Sequence, residues 1–193
     1  MPTSQAVPKL LILGRDGILN RYRDDHVKDA SEWEALPGAL EAVARLNHAG
    51  WHAVVATNQA GIGRGMIDMA SLNAVHQHMI RELNDKGGRL DAVFFCPHTP
   101  EEGCDCRKPL PGLLLQVMDL YGVQAPQVPV VCDNLRDLQA AVAAGCPPHL
   151  VRSGRAASLD EAGVAALAEQ IPGLRVHDSL ATFADCLLQG PRP

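Results

Sequence analysis

Short apolar runs alternate with stretches of helical periodicity along the whole chain. The runs are Leu10 to Leu13, His52 to Thr57, Ala92 to Cys96, Val128 to Cys132, His149 to Val151 and, more weakly, Leu174 to Val176. Runs this short and this apolar suit strands buried on both faces of a parallel sheet. A first helix is expected to begin near Pro37, to turn Leu40, Val43 and Ala44 inward and to end at Gly50. A second runs from about Met69 to Lys86, with Leu72, Val75, Met79 and Leu83 as its inner stripe and Gly87-Gly88 as its stop. Leu114, Val117, Met118 and Tyr121 have the i, i+3, i+4, i+7 spacing of a third. Leu135, Leu138 and Val142 mark a fourth, rich in alanine and closed by Gly145. Leu159 to Gln170 and Ser179 to Gln189 complete the set, the last capped by Ser179. Strand and helix in steady alternation predict an α/β fold, a Rossmann-like parallel sheet with helices on both faces. No repeat, linker or low-complexity tract interrupts the pattern. One domain over residues 1–193 is therefore expected, with a frayed tail from Gly190 to Pro193.

Composition narrows the function classes. At 193 residues and 47% hydrophobic content, the chain can bury one good core and little more. A formal net charge of -5 leaves no basic footprint for nucleic acid or an anionic membrane. A small polyanion would have to be held by locally placed cations. Met1 to Lys9 lacks a basic n-region, and the apolar run that follows is too short for a signal peptide or a membrane span. A cytoplasmic monomer is expected.

Cysteine usage changes this picture. Three of the six cysteines fall within eleven residues together with a histidine, as Cys96-Pro-His98 and Cys104-Asp-Cys106. In a cytosolic context such clustering favours metal over disulfide. Four ligands in a C-x-H-x5-C-x-C array suit a closed, structural, tetrahedral Zn²⁺ site. The loop 96–106 has little apolar content of its own, so metal binding would supply its folding energy and position Arg107-Lys108-Pro109 behind it. Cys132, Cys146 and Cys186 sit in apolar or helical contexts and read as small buried hydrophobes.

Four polar motifs each follow a predicted strand: Gly14 to Asn20, Thr57 to Gly65, Cys96 to Lys108, and Asp133 to Asp137. In such sheets ligands bind beyond the carboxyl ends of the strands. Taken singly, Asp16-Gly17 is a common turn pair, Thr57-Asn58 a helix cap, and Asp133 with Asp137 a solvated helix start. Their convergence on one sheet edge argues for a site. The histidines outside the zinc array receive no role: His48, His76 and His78 are expected on exposed helix faces, and His26, His149 and His177 have no partner that the sequence identifies.

The strand and loop Leu10-Leu-Ile-Leu-Gly-Arg-Asp-Gly-Ile-Leu-Asn20 resemble those of the haloacid dehalogenase-like superfamily, with little or no cap domain. Thr57-Asn-Gln-Ala-Gly-Ile-Gly-Arg-Gly65, the zinc loop, Arg107-Lys-Pro109 and Asp133-Asn-Leu-Arg-Asp137 make the resemblance more specific. Over residues 9 to 152 the chain resembles the D-glycero-D-manno-heptose-1,7-bisphosphate 7-phosphatases. Histidinol phosphatases share the zinc loop and Arg-Lys-Pro, and Arg64 tilts the resemblance to the heptose enzymes. The resemblance implies a phosphatase with Mg²⁺ and Zn²⁺ as cofactors, removing the 7-phosphate of a heptose bisphosphate in a lipopolysaccharide precursor route. It implies Asp16 as general acid and base, with its backbone carbonyl on Mg²⁺. Thr57 and Lys108 would hold the phosphoryl group, with Asn58 a neighbouring donor. Asp133 would bind Mg²⁺, Asp137 would order the shell around it, and Arg64 and Arg107 would contact the sugar or a distant phosphate. Cys96, His98, Cys104 and Cys106 would hold Zn²⁺.

Two positions depart from that pattern. Gly14 stands where the family carries the nucleophilic, Mg²⁺-binding Asp, and Cys132 stands where relatives usually have Gly. Loss of a nucleophile costs roughly 10⁶-fold in rate. Strand alternation points Cys132 away from the face that Asp133 uses, so its thiol is not expected to substitute. Three readings stay open: a phosphatase fold impaired at its nucleophile, by natural divergence or by an introduced substitution; a phosphosugar-binding protein; and a zinc-held scaffold for a protein partner.

Overall fold

The computed structural model describes residues 7–190, so the tail expected to fray beyond Gly190 and the start of the amino-terminal segment lie outside the described residues. Six strands form where apolar runs predict them: β1 Lys9–Leu13, β2 Trp51–Asn58, β3 Ala92–Cys96, β4 Val130–Cys132, β5 Pro148–Val151 and β6 Arg175–His177. They make one parallel sheet in the order β3-β2-β1-β4-β5-β6. β4 starts later than Val128 because Ala125–Gln127 forms a 3₁₀ turn, closed by the Val128 N–H on the Ala125 carbonyl.

The helices are α1 Ala39–His48, α2 Ala60–Gly63, α3 Met69–Asp85, α4 Gly112–Tyr121, α5 Leu135–Ala143, α6 Glu161–Gln170 and α7 Leu180–Gln189. The single turn of α2 is absent from the periodicity because four residues cannot show a period. Asp68, Asn134, Asp160 and Ser179 accept from the first-turn N–H groups of α3, α5, α6 and α7, the side-chain capping that fixes where each helix begins.

Alternation along the strands builds a core on each face. Leu11, Leu13, Val55 and Val131 pack with Leu40, Val43 and Leu46 of α1, Val75 and Met79 of α3, and Phe183 of α7. Leu10, Ile12, Val54, Ala56 and Val130 pack with Leu114 and Val117 of α4 and Ala140 and Ala141 of α5. Cys132 and Leu150 meet Leu138 and Ile171. Helices therefore cover both faces. Between β1 and α1 the only helical segment is a 3₁₀ turn at Ala30–Glu32, so no cap domain is inserted there. No helix among the described residues is long and apolar enough to cross a membrane.

Five side chains depart from the sequence pattern. Cys186 is exposed rather than a small buried hydrophobe, because α7 packs inward through Leu180, Phe183 and Ala184. Val142 is exposed, because α5 packs through Leu138, Ala140 and Ala141 and the small alanines let it sit close to the sheet. His76 is buried rather than on an exposed helix face, since α3 turns both Val75 and His76 toward the protein. His149 and His177 are partners: Nδ1 of one lies 2.9 Å from Nε2 of the other, and both rings meet Phe183 edge-on.

That pair should make stability pH-dependent. Burial, and after it the His177 and Arg175 charges, push His149 down to about 3, and His177 is lowered by burial and Arg175. The unfolded chain takes up these protons near the ordinary histidine value of about 6.5, while the folded chain resists them. The unfolded state thus binds more protons as pH falls below that value, and stability drops with acidification and returns as pH rises. The urea midpoint is expected to fall between about pH 6.5 and 4.5. His149→Gln should flatten that fall; an unchanged slope would refute the assignment.

Candidate active site

The sheet order reverses between β1 and β4, and a crevice opens there beyond the strand ends. Gly14, the first residue past β1, is tied to β4 by its N–H on the Val131 carbonyl at 2.9 Å. The chain then turns tightly, with the Leu19 N–H on the Arg15 carbonyl at 2.9 Å and the Gly17 N–H on the Asn20 carbonyl at 2.8 Å. The Asp16 carbonyl takes no part in this turn. Gly17 has φ +81° and Gly154 φ +52°, and a Cβ on either would run into the Asp133 carboxylate.

Asp133 is thus wedged between two bare backbones at 2% exposure. One oxygen accepts the Arg155 N–H at 2.8 Å and the other accepts the Asn134 amide at 2.8 Å. Burial pushes its carboxyl above the ordinary range, the Arg155 and Asn134 donors offset part of that, and the charge of Asp137 adds to the rise. A buried carboxylate in this condition is one that a cation would stabilise.

Asp16 has the opposite balance. Burial is the largest influence and raises it, but the Arg15 charge and hydrogen bonds from Asn20, Arg15 and Gln59 outweigh burial and hold the carboxyl below its ordinary range. The donors are Arg15 at 2.9 and 3.0 Å, Asn20 at 2.9 Å and Gln59 at 3.1 Å. Gln59 also donates to the Thr57 hydroxyl at 2.9 Å, linking the end of β2 to Asp16.

Lys108 is buried, with its ammonium on the Ala56 carbonyl at 2.9 Å and on Asp137. Asn58 clamps the Lys108 main chain from both sides, donating to its carbonyl at 3.0 Å and accepting from its N–H at 3.2 Å. Asn58 thus positions Lys108 with one N–H and its oxygen, and a second N–H of the same amide is left over at the crevice wall. Asp137 is the ion partner of Lys108 and stands beside the first turn of α5, where its N–H meets Asn134 at 3.1 Å.

Gly14 lies among these groups. A Cβ there would sit 3.3 Å from Cγ1 of Ile18 and 3.9 Å from an Asp137 oxygen, and its φ is outside the left-handed region. The backbone admits a side chain at this position with a shift of a few tenths of an ångström in Ile18. The Cys132 thiol is buried against the His149 carbonyl at 3.7 Å, and burial raises it well above the ordinary thiol value.

Across the zinc loop, Cys96 Sγ lies 3.5 Å from His98 Nδ1 and 3.6 Å from Cys104 Sγ, and Cys106 Sγ lies 3.4 and 3.5 Å from the same two atoms. All four ligand atoms are within 4.8 Å of one another. Zn–S bonds of about 2.3 Å and Zn–N bonds of about 2.0 Å give tetrahedron edges of roughly 3.5–3.8 Å, so the donors stand as a zinc shell requires. Burial, then hydrogen bonding from Cys106, pushes the Cys96 thiol up to about 12, and a bound dication would offset exactly the charge that this environment disfavours.

The crevice itself is a cavity of about 280 Å³ in which cations dominate. Asp16, Thr57, Asn58, Arg64, Arg107, Lys108 and Asp137 all line it, while Gly14 and Asp133 lie behind that wall. Arg107 reaches it while donating to the His98 carbonyl at 3.1 Å, which ties this cation to the zinc loop. Residues that sequence reasoning missed also line it: Arg15, Arg136 and Arg155, the last stacked 4.0 Å above the Tyr22 ring. Gln59, Asn20 and His76 were missed as well. The usable signal was Arg15, since an arginine between a strand end and an aspartate must be paired if it is buried.

A family model described as HAD-hydrolase-like matches residues 105–182. The D-glycero-β-D-manno-heptose-1,7-bisphosphate 7-phosphatase of Bordetella bronchiseptica is 50% identical, covering 94% of this chain and 98% of its own length. The enzyme of the same name from Pseudomonas aeruginosa is 44% identical, covering 93% of this chain and 98% of its own. The crystal structure of the B. bronchiseptica D,D-heptose 1,7-bisphosphate phosphatase, complexed with magnesium and phosphate, superposes with a TM-score of 0.86 at 50% identity over 94% of this chain and 98% of that one. By sequence, sheet order and crevice, the chain belongs to the D-glycero-β-D-manno-heptose-1,7-bisphosphate 7-phosphatase family of haloacid dehalogenase-like hydrolases.

Proposed function

We propose that this chain is a sugar-phosphate phosphatase of the heptose 1,7-bisphosphate type, acting as a single-domain cytoplasmic monomer, whose turnover is blocked at one step. One observation carries the reading: Asp16, Thr57, Lys108 and Asp137 line one crevice, and Asp137 lies 3.9 Å from where a Gly14 Cβ would stand. Lys108 and Thr57 hold the phosphoryl group. Asp16 protonates the leaving sugar oxygen and then takes a proton from the attacking water. Arg64 and Arg107 reach the sugar or the second phosphate, because a guanidinium matches phosphate oxygens in pairs.

The oxygen donors on β4 and in the β1 loop suit magnesium. Asp133 and the Asp16 carbonyl would hold Mg²⁺, with Asp137 ordering the surrounding shell through Lys108, and the ion would neutralise phosphoryl charge. Only the group that attacks phosphorus is missing. Gly14 has no carboxylate to form the covalent intermediate, and the Cys132 thiol is buried and held protonated by its surroundings. The retained cations favour a second reading, a phosphosugar-binding protein on the same fold.

Two outcomes are expected of the hydrolysis assay. Hydrolysis by the unmodified chain, assayed with heptose bisphosphates and an aryl phosphate, should be near background. Gly14→Asp should raise Mg²⁺-dependent phosphate release by several orders of magnitude, toward the roughly 10⁶-fold worth of a nucleophile. Strong turnover without the change would reject the block at Gly14 and require another attacking group, whereas none in a folded, metal-loaded Gly14→Asp protein would reject the phosphatase reading. In the latter case the binding-protein reading takes its place.

In calorimetry, Mg²⁺ affinity should be weak and should improve when inorganic phosphate is present, since magnesium shares phosphate oxygens with one or two carboxylates. Lys108→Ala should weaken the phosphate arm of that measurement. Metal binding indifferent to phosphate would defeat the shared site.

The zinc shell is closed by four protein donors, so its role is structural. Elemental analysis of dialysed protein should find one zinc per chain. Cys104→Ser should lower the melting temperature; protein without zinc, or an unchanged melting temperature, would contradict the site.

A further inference from the structure

One buried contact at the crevice wall, between Arg15 and His76, has no part in the chemistry above. Arg15 is 1% exposed, and its guanidinium is divided between two partners. Nε and Nη2 face Asp16, at 3.3 Å for Nε and 2.9 and 3.0 Å for Nη2. Nη1 turns the other way and meets Nε2 of His76 at 3.3 Å. His76 comes from α3, 61 positions along the chain, and is 7% exposed with its ring 6.1 Å from that of Phe95.

A guanidinium is a rigid planar fork of five donors and accepts nothing. Held only along its Asp16 edge, the plane could pivot about that edge and carry the carboxylate with it. A second acceptor on the opposite corner removes the pivot. An imidazole can accept at Nε2 only when that nitrogen carries no proton, so the ring must be neutral with its hydrogen on Nδ1. Burial, then the Arg15 charge, pushes His76 down to about 4, with Asp16 the one charge acting in the other direction. The neutral ring is the form present near pH 7.

We propose that His76 is a positioning residue: by accepting from Nη1 of Arg15 it fixes the guanidinium plane, and through that plane the orientation of the Asp16 carboxylate. The geometry of the contact stands by itself, and its consequence for rate rests on the role given to Asp16 above. A histidine that only filled the core would show no preference for one tautomer and no link to Arg15.

The experiment has two arms. In the unmodified chain, long-range ¹H–¹⁵N NMR of the His76 ring should show the neutral Nδ1–H tautomer at pH 7. The Arg15 side-chain N–H signals should be protected from solvent exchange. His76→Leu should speed that exchange by about tenfold, the scale of one hydrogen bond to a charged group, while His76→Gln, which keeps an acceptor, should preserve protection. A proton on Nε2, or Arg15 protection unchanged in His76→Leu, overturns the proposal. The tautomer reading needs no variant, so a His76→Leu chain that failed to fold would leave it decisive.

The second arm uses Gly14→Asp as its background. Adding His76→Leu should lower kcat about tenfold with KM within about twofold, and His76→Gln should recover most of the loss. A change in KM alone, or equal loss in the Leu and Gln variants, would also overturn it. If Gly14→Asp hydrolyses nothing, the phosphatase reading fails while the NMR arm still decides the contact.

Discussion

The burial of one carboxylate governs the geometry of this crevice. Asp133 is almost completely removed from water, which costs far more than a folded chain can spare unless the charge is surrounded by donors or cations. The protein meets this with backbone on one carboxylate oxygen and the Asn134 amide on the other. Gly17 and Gly154 bring two main chains against the carboxylate, Arg155 gives it an N–H, and Ser153 ties the two approaching loops together through the Gly17 carbonyl. The loops after β1, β4 and β5 are thereby locked to one point. Because that point lies at the sheet's switch between β1 and β4, every group on those loops inherits a fixed position relative to the strand ends.

Two ion pairs extend the same logic outward with different outcomes. Lys108 and Asp137 are both buried and satisfy each other, with the Ala56 carbonyl as a further acceptor. Arg15 and Asp16 are adjacent in sequence, and the cation is the more deeply buried of the two. The first pair fixes a cation at the crevice wall, and the second holds a carboxylate whose charge is over-compensated. Asp133 carries an under-compensated charge, so environments a few ångströms apart push like groups in opposite directions. The loop environment, and not the residue type, thus sets the charge state of each carboxyl.

The sheet was legible in the sequence because burial on both faces leaves an uninterrupted apolar run, and each such run became a strand. The zinc shell was legible because its ligands are local in sequence and chemically unusual together. The errors fall where the third dimension decides. Val142 continued an apolar stripe, yet α5 approaches the sheet through alanines that a periodicity count ranks below valine. Asn58 was legible as a polar residue at a strand end, but its partner, the Lys108 main chain, is fifty residues away and no spacing rule relates them. His76, His149 and His177 were unreadable for the same reason, since a histidine's role is set by what faces it.

Gly14 shows how separable the fold is from the reaction. Its tie to β4 is a backbone hydrogen bond that any residue but proline can make, and its φ calls for no glycine. Nothing in the local conformation therefore depends on the acid that the family carries there. A carboxylate at this point would lie close to Asp137 and share the crevice with Asp16 and Asp133, so its absence removes like-charge repulsion from the metal-free protein and leaves the cations of the cavity less opposed. The sheet, the four-ligand loop and the cations of the cavity are all in place with glycine at this position, so the architecture does not depend on a carboxylate there.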